Sequence, residues 1–165
     1  MNREIKFRGK TEDDMIFEDG KILDKGTWVY GSLIVNGKLP YIVGEVVESD
    51  SEYIALEYWY PCDPNTIGQF TGLKDKNGKE IWEGDVVRYV DKPYEWHFLI
   101  ANQHDKYYGV FAKCIYRNFS SEENENSERE YVFGDFYDTN EITQFVYVDG
   151  KRYEIIGNIH DKEEV

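Results

Sequence analysis

Four short turns punctuate this chain and limit the folds that it can adopt. Each has the pattern Asx-Gly-Lys, in which asparagine or aspartate followed by glycine tolerates the positive φ angles of a tight hairpin turn. Because strand-like runs flank them, the turns predict a meander of antiparallel hairpins, although their flanks differ too much to mark an internal repeat. The four turns are Asp19-Gly20-Lys21, Asn36-Gly37-Lys38, Asn77-Gly78-Lys79 and Asp149-Gly150-Lys151.

The turn at Asn36-Gly37-Lys38 gives the strongest local prediction, a hairpin that joins Trp28–Val35 to Tyr41–Val47. Alternation of polar and apolar residues near the start of the chain places Ile5 and Phe7 on one face of a strand over Glu4–Arg8. The last two turns join Gly72–Leu73 to Glu80–Trp82 and Phe145–Val148 to Arg152–Ile156. Further strands are predicted at Tyr53–Tyr60, Asp85–Val90, Trp96–Ile100, Val110–Tyr116 and Tyr131–Phe133.

Helical periodicity is weak throughout the chain. We expect at most short helical turns, one capped by Thr11-Glu12-Asp13-Asp14 before Met15-Ile16-Phe17 and one over Asp138–Thr143. No linker divides the 165 residues, so the prediction is a single mainly-β domain whose sheet edges are protected by curling into a barrel-like form. Its acidic, low-complexity segment at about residues 119–130 is predicted to be a mobile surface loop.

The charge balance argues against two classes of partner. The chain carries 33 acidic and 19 basic side chains, a net charge of −14. Such a charge opposes non-specific binding to phosphate backbones and adsorption to anionic membranes, so we expect neither nucleic acid nor a membrane as partner. The chain has no apolar run of the ~18 residues that a membrane span needs, and its first ten residues lack the apolar core of a signal peptide. Two cysteines make no disulfide framework, which favours a reducing cytoplasm.

Residues that could carry chemistry are few and scattered. His97, His104 and His160 lack metal-ligand spacing, and no Cys-x-x-Cys is present. Cys62 and Cys114 resemble small buried hydrophobic residues more than nucleophiles. The nucleophile-elbow, P-loop and dinucleotide-binding motifs are absent from the sequence. We therefore expect no catalytic residues, no metal and no cofactor, although a site assembled from distant residues stays open.

The aromatic residues, 16% of the chain, permit two interpretations. Tyr58-Trp59-Tyr60 and Tyr107-Tyr108 could form a platform on which nucleic-acid bases stack. Such platforms normally lie in a basic groove, and no lysine or arginine falls between Lys38 and Lys74. The favoured interpretation is core packing together with a tyrosine-rich surface for a protein partner. Whether residues 58–60 lie inside or outside is left open.

Three blocks of the sequence closely resemble the YopX family. They are Arg3–Arg8, the long block Pro64–Val87 and Tyr153–Ile159, and they occur in the family's order. The similarity runs from about residue 3 to the end, although residues 92–140 contribute little to it. The resemblance implies a mainly-β pseudobarrel encoded by a phage or prophage of Gram-positive bacteria. It implies no established activity, so no catalytic residue is carried over.

Three functional hypotheses follow. The leading one is a non-enzymatic accessory protein of a phage or prophage, which acts in the cytoplasm of the host bacterium by binding a host or phage protein. The second is an acidic DNA mimic that inhibits a nucleic-acid-binding protein of the host. The third is a small nucleic-acid-binding β-barrel that uses the basic N-terminal segment. The sequence identifies neither the binding residues nor the partner, and it is compatible with a homo-oligomer.

Overall fold

A computed structural model describes residues 4–91, 93–101, 111–119, 131–132 and 150–161. The chain divides into two compact units, residues 1–70 (unit 1) and 71–165 (unit 2). The first strands, in chain order, are β1 Phe7–Lys10, β2 Met15–Ile16, β3 Ile22–Leu23, β4 Trp28–Asn36, β5 Leu39–Val43, β6 Val46–Ser49, β7 Ile54–Leu56 and β8 Trp59–Pro61. A 3-10 helix at Pro64–Thr66 precedes β9 Gly68–Lys74, β10 Glu80–Trp82, β11 Asp85–Asp91, β12 Tyr94–Ala101, β13 Phe111–Phe119, β14 Tyr131–Val132 and β15 Tyr153–Asn158.

Unit 1 contains an antiparallel sheet in which β9, β1, β4, β5 and β8 are neighbours in that order. The predicted β4–β5 hairpin is confirmed: Asn36 pairs with Leu39, and the turn residue Gly37 has a φ of 65°. The core of the unit lies on one face of this sheet, where Val29, Ile42 and Cys62 are buried. Partly buried apolar residues pack around these three, namely Phe7, Leu23, Leu33, Tyr60 and Ile67.

The first strand starts later than its sequence pattern predicts. The ladder between β1 and β4 begins where Phe7 lies opposite Gly31. Phe7 packs against the core, but Ile5 precedes the ladder and is 71% exposed. The prediction of a strand over Glu4–Arg8 with Ile5 and Phe7 on one face is therefore wrong at Ile5, because alternation alone does not show where a partner strand begins.

The connection from β5 to β8 is a long hairpin that continues the sheet. The ladder that pairs Val43 with Trp59 goes on through two further backbone hydrogen bonds, from Gly44 N–H to Tyr58 O at 3.0 Å and from Glu57 N–H to Glu45 O at 2.9 Å. Strands β6 and β7 then pair as far as the turn at residues 50–53. We call residues 44–58 the ribbon arm.

Each of the two predicted strands in this region is divided in two. The runs Tyr41–Val47 and Tyr53–Tyr60 are interrupted at residues 44–45 and 57–58. The ring of Tyr58 lies so close to Gly44 that a Cβ there would be 2.7 Å from a ring carbon. A register shift between Val46 and Glu48 further distorts the ladder of the ribbon arm. These contacts between distant residues leave no local signal in the sequence.

A second small hairpin in unit 1 replaces the predicted helical turn before Met15-Ile16-Phe17. Strands β2 and β3 pair here across the predicted turn at Asp19-Gly20-Lys21, and Gly20 has a φ of 82°. Thr11 holds the base of this hairpin, because its hydroxyl donates to Asp24 O at 2.8 Å and accepts from Thr27 N–H at 3.1 Å. The hydroxyl thus joins two loops instead of capping a helix.

Unit 2 contains the sheet β14-β13-β12-β11-β15 and the hairpin that residues 71–74 of β9 form with β10. The predicted turn of that hairpin, Asn77-Gly78-Lys79, is confirmed, with a φ of 83° at Gly78. The fourth predicted turn contains Gly150, with a φ of 78°, where a Cβ would clash with the backbone oxygen of Lys74. The core of unit 2 comprises Ile81, Val87, Phe98, Ile100, Ala112 and Tyr153, with Leu73, Tyr89, Trp96 and Ile155 packed against it.

The mainly-β class is confirmed, and every strand pair observed in the described residues is antiparallel. The described sheets are open, so they show no barrel closed upon itself. Within the described ranges, no helix has the length and apolar character needed to cross a membrane. The single-domain assignment stays a prediction. Several predicted features lie outside the described residues, namely the acidic loop over 120–130, His104, Tyr107-Tyr108, Phe133, the turn over Asp138–Thr143 and the strand Phe145–Val148.

Candidate functional site

The histidines and the cysteine whose side chains the structure describes, His97, His160 and Cys62, show no shared site. His97 Nε2 lies 2.8 Å from Glu95 Oε1, and the backbone N–H of His160 donates to Asn158. Cys62 is fully buried, and burial is the main cause that raises its pKa to about 11. A thiol with that pKa is a poor nucleophile near neutral pH. Among the residues that the structure describes, no group of three or more His, Cys, Asp or Glu side chains could hold a metal ion.

One buried carboxylate of the long family-like block holds the β9–β10 turn. Asp75 Oδ1 accepts from the backbone N–H groups of Asn77 and Lys79 at 2.8 and 2.9 Å. Its Oδ2 accepts from Ile155 N–H at 3.2 Å, which fastens β15 to this turn. Burial raises the pKa of Asp75, but these N–H donors outweigh that effect and leave the pKa below its usual value. The carboxylate therefore works as a structural acceptor.

A second buried carboxylate, Asp85, holds the next turn, which joins β10 to β11, and also binds a residue of β15. Its Oδ2 accepts from Trp82 N–H at 2.8 Å, and its Oδ1 accepts from the amide of Asn158 at 3.1 Å. Gly84, in the turn between β10 and β11, has a φ of 84°, a value that favours glycine. The central and C-terminal blocks singled out in the sequence thus meet through Asp75 and Asp85, and both contacts hold backbone or amide groups of unit 2.

A surface ion cluster occupies the solvent face of the unit 2 sheet. Glu154 Oε2 lies 2.8 Å from Lys76 Nζ and 2.7 Å from Arg88 Nη2. The hydrogen bond from Lys76, and next that from Arg88, lowers the pKa of Glu154 to about 2. A carboxylate that stays ionised and paired across the ordinary pH range is a weak general acid or base.

The basic N-terminal segment packs on aromatic rings of unit 1. Lys6 Nζ lies 4.7 Å from the ring centre of Phe70, while Arg8 Cζ and Lys10 Nζ lie 4.5 and 5.1 Å from that of Trp28. These distances are typical of cation–π contacts. Arg8 is only 6% exposed, so its guanidinium is held within the protein. Packing of this kind supports a structural role for these cations more than a phosphate-binding one.

The aromatic segment at residues 58–60 alternates between the two faces of its strand. Tyr58 and Tyr60 are partly buried and stack with ring centres 4.9 Å apart, whereas Trp59 between them is 69% exposed. Trp59 stacks on Tyr41 of β5 at 6.1 Å, and Tyr41 pairs with Ile34 of β4, which is 46% exposed. We call Ile34, Tyr41 and Trp59 the sheet patch. Its members lie on three neighbouring strands: Ile34 is opposite Tyr41, and Trp59, which is opposite Val43, stacks on Tyr41 from the diagonal position.

Sequence reasoning identified Trp59 but not the residues around it. Ile34 and Tyr41 belong to predicted strands, yet the pairing of β5 with β8 brings Tyr41 to Trp59 across 18 positions of the chain. The ribbon arm was likewise missed as a unit. Its sequence signal is the stretch from residue 39 to 73, which has several carboxylates and exposed apolar residues but no lysine or arginine.

The fold and this surface define a mainly-β protein with an exposed aromatic patch. A family model described as "YopX protein" matches residues 6–165, so the chain belongs to the YopX family. Among solved structures it is similar to the crystal structure of protein EF1440 from Enterococcus faecalis, at 22% sequence identity and a TM-score of 0.45. That alignment covers 96% of this chain and 95% of the other. A comparison with curated proteins finds no match.

Proposed function

We propose that this chain is a non-enzymatic accessory protein of a phage or prophage that acts in the host cytoplasm by binding a host or phage protein. The observation that carries the proposal is the sheet patch of unit 1, in which Trp59 is 69% exposed beside Tyr41 and Ile34. Family membership is consistent with this role but names no activity.

The composition of the sheet patch is typical of a protein interface. Tryptophan and tyrosine are enriched at interfaces and supply much of the binding energy there, because large rigid rings lose little entropy on binding. Their cross-strand stacking also holds the rings in place before a partner arrives, which lowers the cost of ordering them. The patch thus has both the apolar area and the preorganisation that a protein partner requires.

The chemistry of the buried polar groups also supports a binding protein. Asp75 and Asp85 are engaged by backbone and amide donors of the fold. The Cys62 thiol has a raised pKa and is enclosed by the core of unit 1. These groups have structural uses that account for their burial without a catalytic role.

The test is affinity capture of the tagged chain from its bacterial host before and after prophage induction, with the double variant Ile34→Ser/Trp59→Ser as comparison. We expect a captured protein that the double variant recovers at least about tenfold less efficiently, the loss of one interface hot spot being worth about 2 kcal/mol or more. Val90→Ser is the matched control, because Val90 is an exposed strand residue (48%) of unit 2 outside the patch.

Two results would contradict the proposal. One is a partner that binds the double variant as well as the unchanged chain, with both proteins folded by circular dichroism. The other is enzyme-like hydrolysis of a nucleotide or nucleic acid by the purified chain that a point mutation abolishes.

A further inference from the structure

The ribbon arm adds information about the partner, on the assumption that the protein-binding function proposed above is correct. All ten residues from Glu45 to Ile54 are exposed. They include Val46, Val47 and Ile54, which are 58%, 64% and 65% exposed. The two strands of the arm, β6 and β7, have no other strand neighbour among the described residues. Beyond the β5–β8 ladder the arm is a two-stranded ribbon, an arrangement of marginal stability in water, and a group of exposed apolar side chains on it is typical of an interaction surface.

The arm also carries two glutamates, Glu45 and Glu57, at opposite positions of its two chain segments. The register places Glu57 opposite Glu45, and the N–H of Glu57 donates to the carbonyl of Glu45 at 2.9 Å. Like charges directly opposite each other in a ladder are destabilising. Their field is felt at Tyr58: burial and the charge of Glu57, with smaller effects of Tyr60 and Glu45, raise its pKa.

The remaining acidic residues of the arm add to this charge. Residues 44–58 contain five carboxylates and no lysine or arginine, and none of the five forms an ion pair with a residue that the structure describes. Asp50 has a structural task, because its Oδ1 accepts from Glu52 N–H and Tyr53 N–H in the turn. The other four carboxylates lie beside the exposed apolar residues; they are Glu45, Glu48, Glu52 and Glu57.

We infer that the partner is a protein with a basic surface, and that the ribbon arm docks on it with its carboxylates around the apolar side chains. Lysine and arginine of the partner would relieve the repulsion between Glu45 and Glu57, while its apolar groups would cover Val47 and Ile54. A second copy of the arm would place acidic residues against acidic residues. Nucleic acid and anionic lipid would be repelled in the same way.

The first experiment locates the contact. A photoreactive benzoylphenylalanine is placed in the full chain at Ile54 of the arm, at Tyr41 of the sheet patch, or at Val90 as control, and irradiated in the bacterial host. We expect the Ile54 probe to cross-link a protein through a peptide of net positive charge, and the Val90 probe to give no such product.

The second experiment measures the charge effect on the protein identified in this way. The variant Glu45→Gln/Glu57→Gln should bind it at least about tenfold more weakly at low salt, and the difference should shrink as salt screens the charges. The same variant should unfold at an equal or higher temperature, since a like-charge pair has been removed. Asp13→Asn/Asp91→Asn makes the same change of net charge at two exposed residues outside the arm and should bind like the unchanged chain.

The outcomes separate this inference from the proposed function. Cross-linking from Tyr41 without cross-linking from Ile54 would leave the proposed function intact and overturn the inference. A cross-linked peptide of neutral or negative charge, a second copy of this chain, or binding that is insensitive to both salt and the Glu45/Glu57 variant would also overturn it. If neither probe cross-links a protein, both proposals fail.

Discussion

The two units of this chain use their aromatic residues in opposite ways. In unit 2 the rings of Tyr89, Trp96 and Tyr153 meet across three neighbouring strands, with centre distances of 5.4 Å, and pack against a buried core. In unit 1 the stacked pair of Tyr41 and Trp59 lies on the sheet face opposite to Ile42 of the buried cluster, and the Trp59 side chain is 69% exposed. In an aromatic-rich β protein, aromatic side chains can thus stabilise the core of one region and lie exposed to solvent in another.

The largest expected effect is a difference in stability between the same isoleucine-to-alanine substitution made in each unit. Ile81 of unit 2 is fully buried, so Ile81→Ala should lower the free energy of unfolding by about 2–5 kcal/mol through lost burial and the cavity left behind. Ile34→Ala in the sheet patch should cost less than about 1 kcal/mol, because Ile34 is 46% exposed. Urea denaturation of both variants measures the difference. Equal losses would show that the sheet patch is part of a core after all.

Removal of the buried hydrogen bonds of Asp85 in unit 2 should lower the free energy of unfolding by a smaller amount. Asp85→Ala leaves Trp82 N–H without its buried acceptor, which should cost about 1–3 kcal/mol. Asp91→Ala removes an exposed carboxylate from the same strand and serves as the control, with an expected change within about 0.5 kcal/mol. Chemical denaturation is again the measurement. If Asp85→Ala were as mild as the control, Asp85 would not hold the turn.

The ion cluster should appear as a pH dependence of stability. The folded pKa of Glu154, about 2, lies below its ordinary 4.5, so its pairing stabilises the fold above about pH 4.5 and is lost as the pH falls toward 2. Glu154→Gln should therefore lower the Tm modestly near neutral pH. The decrease in Tm should become smaller as the pH falls from about 4.5 toward 2. Thermal scans at a series of pH values test this, and two parallel curves for the variant and the unchanged chain would refute it.

The smallest effect concerns Trp59. Trp59→Ser should change the free energy of unfolding by no more than about 0.5 kcal/mol, because the indole is 69% exposed and its removal creates no cavity. Trp96→Ser is the counterpart in unit 2, where the ring packs against the core and the loss should be several times greater. A Trp59 variant that unfolds as easily as the Trp96 variant would mean that the sheet patch serves stability instead of binding.

Turns and core faces of this fold could be predicted because their signals are local. Glycine at residues 20, 37 and 78 follows aspartate or asparagine and adopts a positive φ, as the pattern requires. Alternation in β12 indicates two partly covered faces: Trp96, Phe98 and Ile100 lie at the core, and the side chains of His97 and Leu99 between them are partly buried. These signals need only a few neighbouring residues.

The candidate site could be predicted only in part, since its geometry depends on pairing over distance. Period-two alternation separates Trp59 from Tyr58 and Tyr60 but does not show which face is covered. That face is decided by the pairing of β5 with β8, and the division of two predicted strands at the ribbon arm follows from the contact between Tyr58 and Gly44. The buried roles of Asp75 and Asp85 likewise depend on residues 155 and 158.

The ties from Asp75 and Asp85 to β15 also order events during synthesis of the chain. Both carboxylates leave the ribosome about 70 to 80 residues before the groups that they bind, Ile155 and Asn158. Until β15 has been translated, Phe98 lacks the ring of Tyr153 beside it, and the core of unit 2 is incomplete. Residues 4–70 face no such delay, because the strand partners that they use within unit 1 have all been translated by then.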